Sequence, residues 1–275
     1  MRNLKIAAVC MNSEGGEIER NLDRTEAFVS RASDSGAQLI CFPELSITGY
    51  VLSDPPRVYS HMLPDQILER VAGMARKNGM IIIAGLIEMA DGERPYISQV
   101  VAGPERLIGV YRKTHLSPKE KEIYQAGEVI DVFRHGEMVF GIQLCYEAHF
   151  PEISTLMALK GAEIIFMPHA SPRGNPGEKL RSWLRHLPGR AFDNALYVVA
   201  CNQVGKTGEG FTFPGVAVAL SPAGDVMAKY VGTQEEMLLV DFQGDEIEEI
   251  RKHRMAYFIP NRRPELYSEL STKSR

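Results

Sequence analysis

At 275 residues and 30.6 kDa the chain can bury a sizeable core, and a composition of 44% hydrophobic and 24% charged residues excludes a disordered polymer. Its formal charge of −4, from 31 basic and 35 acidic residues, argues against a nucleic-acid or anionic-membrane partner. Four scattered cysteines (Cys10, Cys41, Cys145, Cys201) show no paired spacing, which argues against a disulfide framework and fits a reducing cytoplasm.

The N-terminus MRNLKIAAVC superficially imitates a lipoprotein signal, but its apolar core is short and Glu14, Glu17 and Glu19 follow at once. Leu4 to Cys10 is therefore expected to be a first buried strand. Helical spacing runs from Ile18 to Ser35 and stops before Gly36; Gln38 to Phe42 is a short strand, and Pro64 to Asn78 repeats the helical pattern up to Gly79. From Met80 the segments MIIIAGLIEM, YISQVVAG and LIGVYRKT predict an antiparallel meander, which IDVFR and VFGIQLC are expected to continue. A helix over Glu152–Lys160, a strand AEIIFMP, a helix over Lys179–Asn194 kinked or divided at Pro188-Gly189, and a strand ALYVVACNQ come next. GVAVAL, VMAKY and MLLVDF predict a late antiparallel group, and Asp245 to Arg254 a final helix. No segment reaches transmembrane length. Strands apolar on both sides of the pleat need cover on both faces, so one domain spanning 1–275 is expected, an α/β fold in a four-layer α-β-β-α sandwich.

Cys145 stands where the strand VFGIQLC gives way to a turn and then a helix. At such an elbow a side chain clears the sheet, and backbone N–H groups just beyond it can meet a forming anion. Glu44 and Lys113 also fall at strand ends, where reactive groups converge in α/β sheets. A thiol that attacks a carbonyl needs a base for its proton and a positive donor for the oxyanion, so a Glu, a Lys and a Cys meet the requirement.

Three segments, FPELSITGY (42–50), YRKTHL (111–116) and GIQLCYEAHFPE (141–152), resemble in order the signature segments of the nitrilase, or carbon–nitrogen hydrolase, superfamily. GRAFDNALYVVACNQVG and FPGVAVALSPAGDVMA extend the resemblance over nearly the whole chain. It implies a nitrilase-like sandwich, with Cys145 as nucleophile, Glu44 as general base and Lys113 as stabiliser of the tetrahedral intermediate. The Tyr146 backbone N–H would complete the oxyanion hole. The family's second glutamate is matched to Glu120, seven residues before Gly127, with Glu122 competing. The implied reaction is hydrolysis of a small amide or N-carbamoyl compound through a cysteine thioester, with no metal or organic cofactor. Tyr146 after the cysteine resembles the amidase and carbamoylase branches, since nitrilases usually carry Trp there. Nitrile hydrolysis and a silent metabolite- or partner-binding relative are the alternatives.

Other features are weaker. Gly205-Lys206-Thr207 matches the end of a phosphate loop, but Ala200 stands at its first glycine and no helix can open after it. No histidine or cysteine spacing suits zinc, and His115, His149 and His169 lack a local dyad signature. His169 and Arg173, on the loop after AEIIFMP, are candidates for substrate binding, the guanidinium suiting a carboxylate. Trp183 is expected in the core or an interface, and Ser98, where the family often has Asn, is expected to be structural. The resemblance also implies a homodimer or larger assembly, and the aromatic residues of the tail 255–275 suit packing across a partner subunit.

Overall fold

The computed structural model describes residues 3–55, 64–89 and 94–272; the last three residues of the tail lie outside them. In one six-stranded sheet β1 (Leu4–Cys10), β2 (Leu39–Cys41) and β3 (Ile81–Glu88) run parallel. β4 (Tyr96–Ala102) and β5 (Leu107–Arg112) extend it as an antiparallel meander, and β14 (Glu236–Phe242) closes the other edge beside β1. The second sheet has the order β13 (Val226–Gly232), β12 (Gly215–Leu220), β9 (Tyr197–Asn202), β8 (Ile164–His169), β7 (Met138–Ile142) and β6 (Val132–His135). Here β7, β8 and β9 are parallel and the outer strands antiparallel.

The sheets pack face to face, β1 against β9 and β12 and β5 against β6, with Tyr197 stacked on Phe242 across the gap at 4.1 Å. Every residue of β2, β8, β9 and β12 is buried, whereas at the edges β5 and β14 mix exposed and buried positions and β13 alternates exposed with half-buried ones. Helices α1 (Ile18–Asp34) and α2 (Pro64–Asn78) pack on each other and α2 packs on β3 and β4. α3 (Pro151–Leu159) and α5 (Leu187–Phe192) pack on β7 and β9, and α4 (Pro176–Trp183) lies by β12 and β13. A last helix, α6, spans Gly244–Lys252. This is the expected α-β-β-α layering.

Three expectations are corrected. β6 and β7 do not continue the β3–β5 meander but form the edge of the second sheet. β14 does not stay with β12 and β13; it crosses to pair with β1 along Leu4–Cys10. The helix expected over 179–194 is divided, but at 184–186, before Pro188-Gly189. α4 begins earlier because Asn175 accepts the Glu178 N–H at 2.9 Å while Glu178 Oε2 accepts the Asn175 N–H at 3.0 Å, a reciprocal cap. Pro188 falls in the first turn of α5, where its missing N–H leaves no bond unmade. The phosphate-loop lookalike is a small hairpin of β10 (Gly205–Lys206) and β11 (Thr212–Phe213) with no helix after it.

Candidate active site

The C-terminal ends of β2, β5, β7 and β8 bring the site together from both sheets. Beyond β2 the chain turns at Leu45 (φ 56°) so closely over β3 that a Cβ on Gly85 would sit 2.2 Å from the Leu45 nitrogen. Glycine is required for this approach. The loop is then tied to β3 by Ser46 Oγ accepting the Gly85 N–H and Thr48 Oγ1 accepting the Ile87 N–H, both at 3.0 Å. Gln203, just past β9, donates to the Glu44 carbonyl at 2.8 Å. Glu44 is held from both sheets and fully buried.

Lys113, also fully buried, follows β5 and donates to Glu44 Oε1 at 2.7 Å and to the two Glu120 oxygens at 2.9 and 3.0 Å. Glu120 is fixed by the Ser117 N–H at 2.7 Å, while Glu122 is exposed, so Glu120 is the glutamate brought to Lys113. The second oxygen of Glu44 accepts the Ala170 N–H, just past β8, at 3.0 Å. Burial, helped by the Glu120 charge and opposed by Lys113, pushes the Glu44 carboxyl up to about 7. Burial works against the Lys113 ammonium, but Glu44 and Glu120 together hold its pKa well above the ordinary lysine value.

Cys145 sits just beyond β7 with a left-handed backbone (φ 40°), an uncommon conformation for a side chain other than glycine. It opens a 3-10 turn, Cys145–His149, that leads into α3. Burial first, then the Glu44 charge, push its thiol up, and Lys113 and the Ala170 amide oppose them. The resting sulfur is protonated beside a carboxylate able to take the proton.

Glu147 locks the elbow to the Lys113 loop, a role absent from the sequence reading. Its Oε1 accepts Tyr111 OH (2.9 Å), Thr114 N–H (2.7 Å), Thr114 Oγ1 (2.6 Å) and His115 N–H (3.2 Å), and its Oε2 accepts Leu144 N–H (2.6 Å). Gln143 adds bonds to the Glu147 and Phe150 carbonyls at 2.6 and 3.1 Å. A Glu147→Gln substitution can keep the first oxygen but turns an NH2 toward the Leu144 N–H. That donor–donor contact is expected to cost about 1–3 kcal/mol in denaturant unfolding. Displacement of the elbow is expected to lower kcat roughly 10- to 100-fold.

The His169 ring is buried against Trp183 at 4.3 Å with Nδ1 on the Met167 carbonyl at 2.7 Å, and burial drives its pKa well below the usual value. It is its neighbour Ala170 that touches Glu44, and Trp183 is core. Arg173 is exposed on the loop before α4. Tyr146 packs its ring on Phe150 at 5.6 Å. Ser98 Oγ donates to Glu88 at 2.6 Å within a Glu88–Arg112 ion pair, a structural role. No histidine bonds to Cys145 among the described residues.

Two further side chains escaped the sequence reading. Tyr50, mostly buried, packs edge-on to Phe211 at 5.3 Å, and burial followed by the Glu120, Glu44 and Cys145 charges raises its pKa strongly. Lys179, buried in α4, donates to Ser171 Oγ at 2.6 Å. Its sequence setting, NPGEKL, has the pattern of a solvated helix start; Tyr50 at least lies at the end of the first signature segment.

Fold and site define an α-β-β-α sandwich with a thiol beside a carboxylate–ammonium–carboxylate cluster. The carbon–nitrogen hydrolase family pattern matches residues 5–252. A nitrilase of Pyrococcus abyssi is 32% identical over 96% of this chain and 99% of its own. An N-carbamoylputrescine amidase of Solanum tuberosum is 27% identical over 93% of this chain and 91% of its own. Among solved structures, a variant amidase of Nesterenkonia sp. AN1 superposes with a TM-score of 0.83 at 27% identity, covering 97% of this chain and 96% of its own. That structure shows covalent addition of the acetamide moiety of fluoroacetamide at the active-site cysteine. The chain belongs to the carbon–nitrogen hydrolase family and is a hydrolase.

Proposed function

We propose that the protein hydrolyses a small amide through a Cys145 thioester. The observation that carries this reading is the Lys113 ammonium held between Glu44 and Glu120 beside the Cys145 thiol. Glu44 takes the thiol proton and the thiolate attacks the amide carbon. The Lys113 ammonium supplies positive charge to the developing oxyanion, together with the Tyr146 N–H. Collapse breaks the C–N bond, Glu44 returns its proton to the departing amine, and then removes one from the water that opens the thioester. The second tetrahedral intermediate expels the thiolate, which recovers the proton from Glu44.

The amidase neighbours support amides, and Tyr146 after the cysteine supports an amide or N-carbamoyl compound over a nitrile. The Pyrococcus nitrilase favours the second reading, which predicts nitrile turnover with little activity on the matching amide. Ammonia release from amides, ω-amides, N-carbamoyl amino acids, N-carbamoyl amines and nitriles separates these; silence on every amide overturns the proposal. The pH profile adds a check. Only ionised Glu44 accepts the thiol proton, so kcat/KM is expected to fall as pH drops below about 7, the value to which the carboxyl is raised.

We also propose a homo-oligomer in a reducing cytoplasm. The tail supports the first point, exposing Met255, Leu266 and Leu270, as an uncovered interface would. A monomer by sedimentation at micromolar concentration would overturn it. Among the described residues no helix is long and apolar enough to cross a membrane.

A further inference from the structure

Glu44 takes one of its contacts from a stretch of chain that has no ladder to hold it. Ala170, whose N–H donates to Glu44 Oε2 at 3.0 Å, is the first residue past β8, and α4 does not begin until Pro176. The β8–β9 pairing ends with His169 opposite Asn202, where the Gln203 N–H donates to the His169 carbonyl at 3.3 Å. Beyond that rung the side chain of Asn202 takes over from the backbone. Its Oδ1 accepts the Ser171 N–H at 2.9 Å and its Nδ2 donates to the Ser171 carbonyl at 3.1 Å. Ala170 therefore lies between two peptide planes that are both held.

The grip is itself anchored. Asn202 Nδ2 also donates to the Pro214 carbonyl at 2.8 Å, just before β12, which fixes the orientation of the amide. Asn202 is fully buried with its oxygen and both its amide hydrogens engaged, so the clamp has no slack. A buried primary amide is costly unless every group is paired, and here all three partners are main-chain groups of loops that flank the site.

We propose that Asn202 is a positioning residue for the reaction: by holding Ser171 it keeps the Ala170 N–H aimed at Glu44 Oε2, and so keeps the carboxylate ready for the thiol proton. The proposal rests on Glu44 being the general base. Donation from Ala170 favours the ionised carboxylate against its burial, and the same N–H opposes the upward push on the Cys145 thiol. With the clamp removed the N–H drifts, the carboxyl rises further, and the base needs a higher pH to be ionised.

Alkylation of Cys145 by iodoacetamide reads this proton transfer without any substrate, because the other three cysteines are buried. The rate is followed across roughly pH 5–9 by mass spectrometry of the labelled peptide, in wild type, Glu44→Gln, Asn202→Ala and Ser171→Ala. In wild type it is expected to rise through a limb at about 7, which Glu44→Gln abolishes. Asn202→Ala should move the limb up by about one pH unit, a loss of about tenfold on its acid side, with the rate approaching wild type above it. Ser171→Ala removes a hydroxyl but neither clamped main-chain group, and should leave the limb in place. An Asn202→Ala limb at the wild-type position, whatever the rate, overturns the proposal and leaves Asn202 a structural residue; so does a Ser171→Ala limb that moves as far. A wild-type limb that persists in Glu44→Gln overturns the general-base reading, and the proposal with it. Melting temperatures show which variants fold, and Asn202→Ser, with a hydroxyl in place of the amide, is read in the same way should Asn202→Ala not fold.

Discussion

Cys145→Ala is expected to lose roughly 10^4-fold or more of kcat on any substrate the wild type turns over, with a melting temperature close to wild type. The two readouts separate for a structural reason. The thiol is protonated at rest, pushed up by burial and by Glu44, and makes no structural ion pair whose loss would unsettle the core. Deleting the sulfur removes the atom that forms the thioester, while alanine keeps the backbone at φ 40°, which both side chains adopt under strain. Cys145→Gly sharpens the point. Glycine adopts that conformation freely, so this variant should be as inactive as alanine yet at least as stable as wild type. A glycine variant that melts well below wild type would show that the elbow is held by the sulfur rather than strained for its sake. Retained turnover in either variant would remove Cys145 from the mechanism.

The elements were legible where local pattern decides them. Leu4–Cys10 and Pro64–Asn78 form over the residues expected, because apolar runs and glycine stops are local signals. Strand partnership is not local. The hairpin β6–β7 has the same pattern whether it extends the first sheet or founds the second. β14 follows β13 in sequence but finds its partner in β1, more than two hundred residues away. The site divides along the same line. Glu44, Lys113 and Cys145 stand out in signature segments, whereas Glu147 sits in one of them without announcing that it gathers donors from Tyr111, Thr114 and His115. Lys179 was invisible because EKL at a helix start is the pattern of a solvated face, whereas in α4 it is buried and bonded to Ser171.

Lys113→Met tests how the cluster is held together as well as how it works. With the ammonium gone, Glu44 and Glu120 remain buried without the cation that both contact. Breaking a buried ion pair by removing one partner is expected to cost about 3–5 kcal/mol of unfolding free energy, and loss of the oxyanion donor to lower kcat about 10^3-fold. The pH dependence identifies the cause. The Glu44 carboxyl is already raised to about 7 by burial and Glu120, against the opposition of Lys113, and deleting Lys113 raises it further. A carboxyl whose folded pKa exceeds its unfolded value binds protons preferentially in the folded state. Its destabilising effect is therefore absent below the unfolded pKa and grows as pH rises toward the folded one. Lys113→Met should thus lie closest to wild type near pH 5 and fall furthest behind above pH 7. Adding Glu120→Gln should recover much of the lost stability, because one carboxylate then no longer faces another, but should recover no activity. A single variant whose deficit is independent of pH would mean that the lost side-chain packing, and not the two stranded carboxylates, sets the cost.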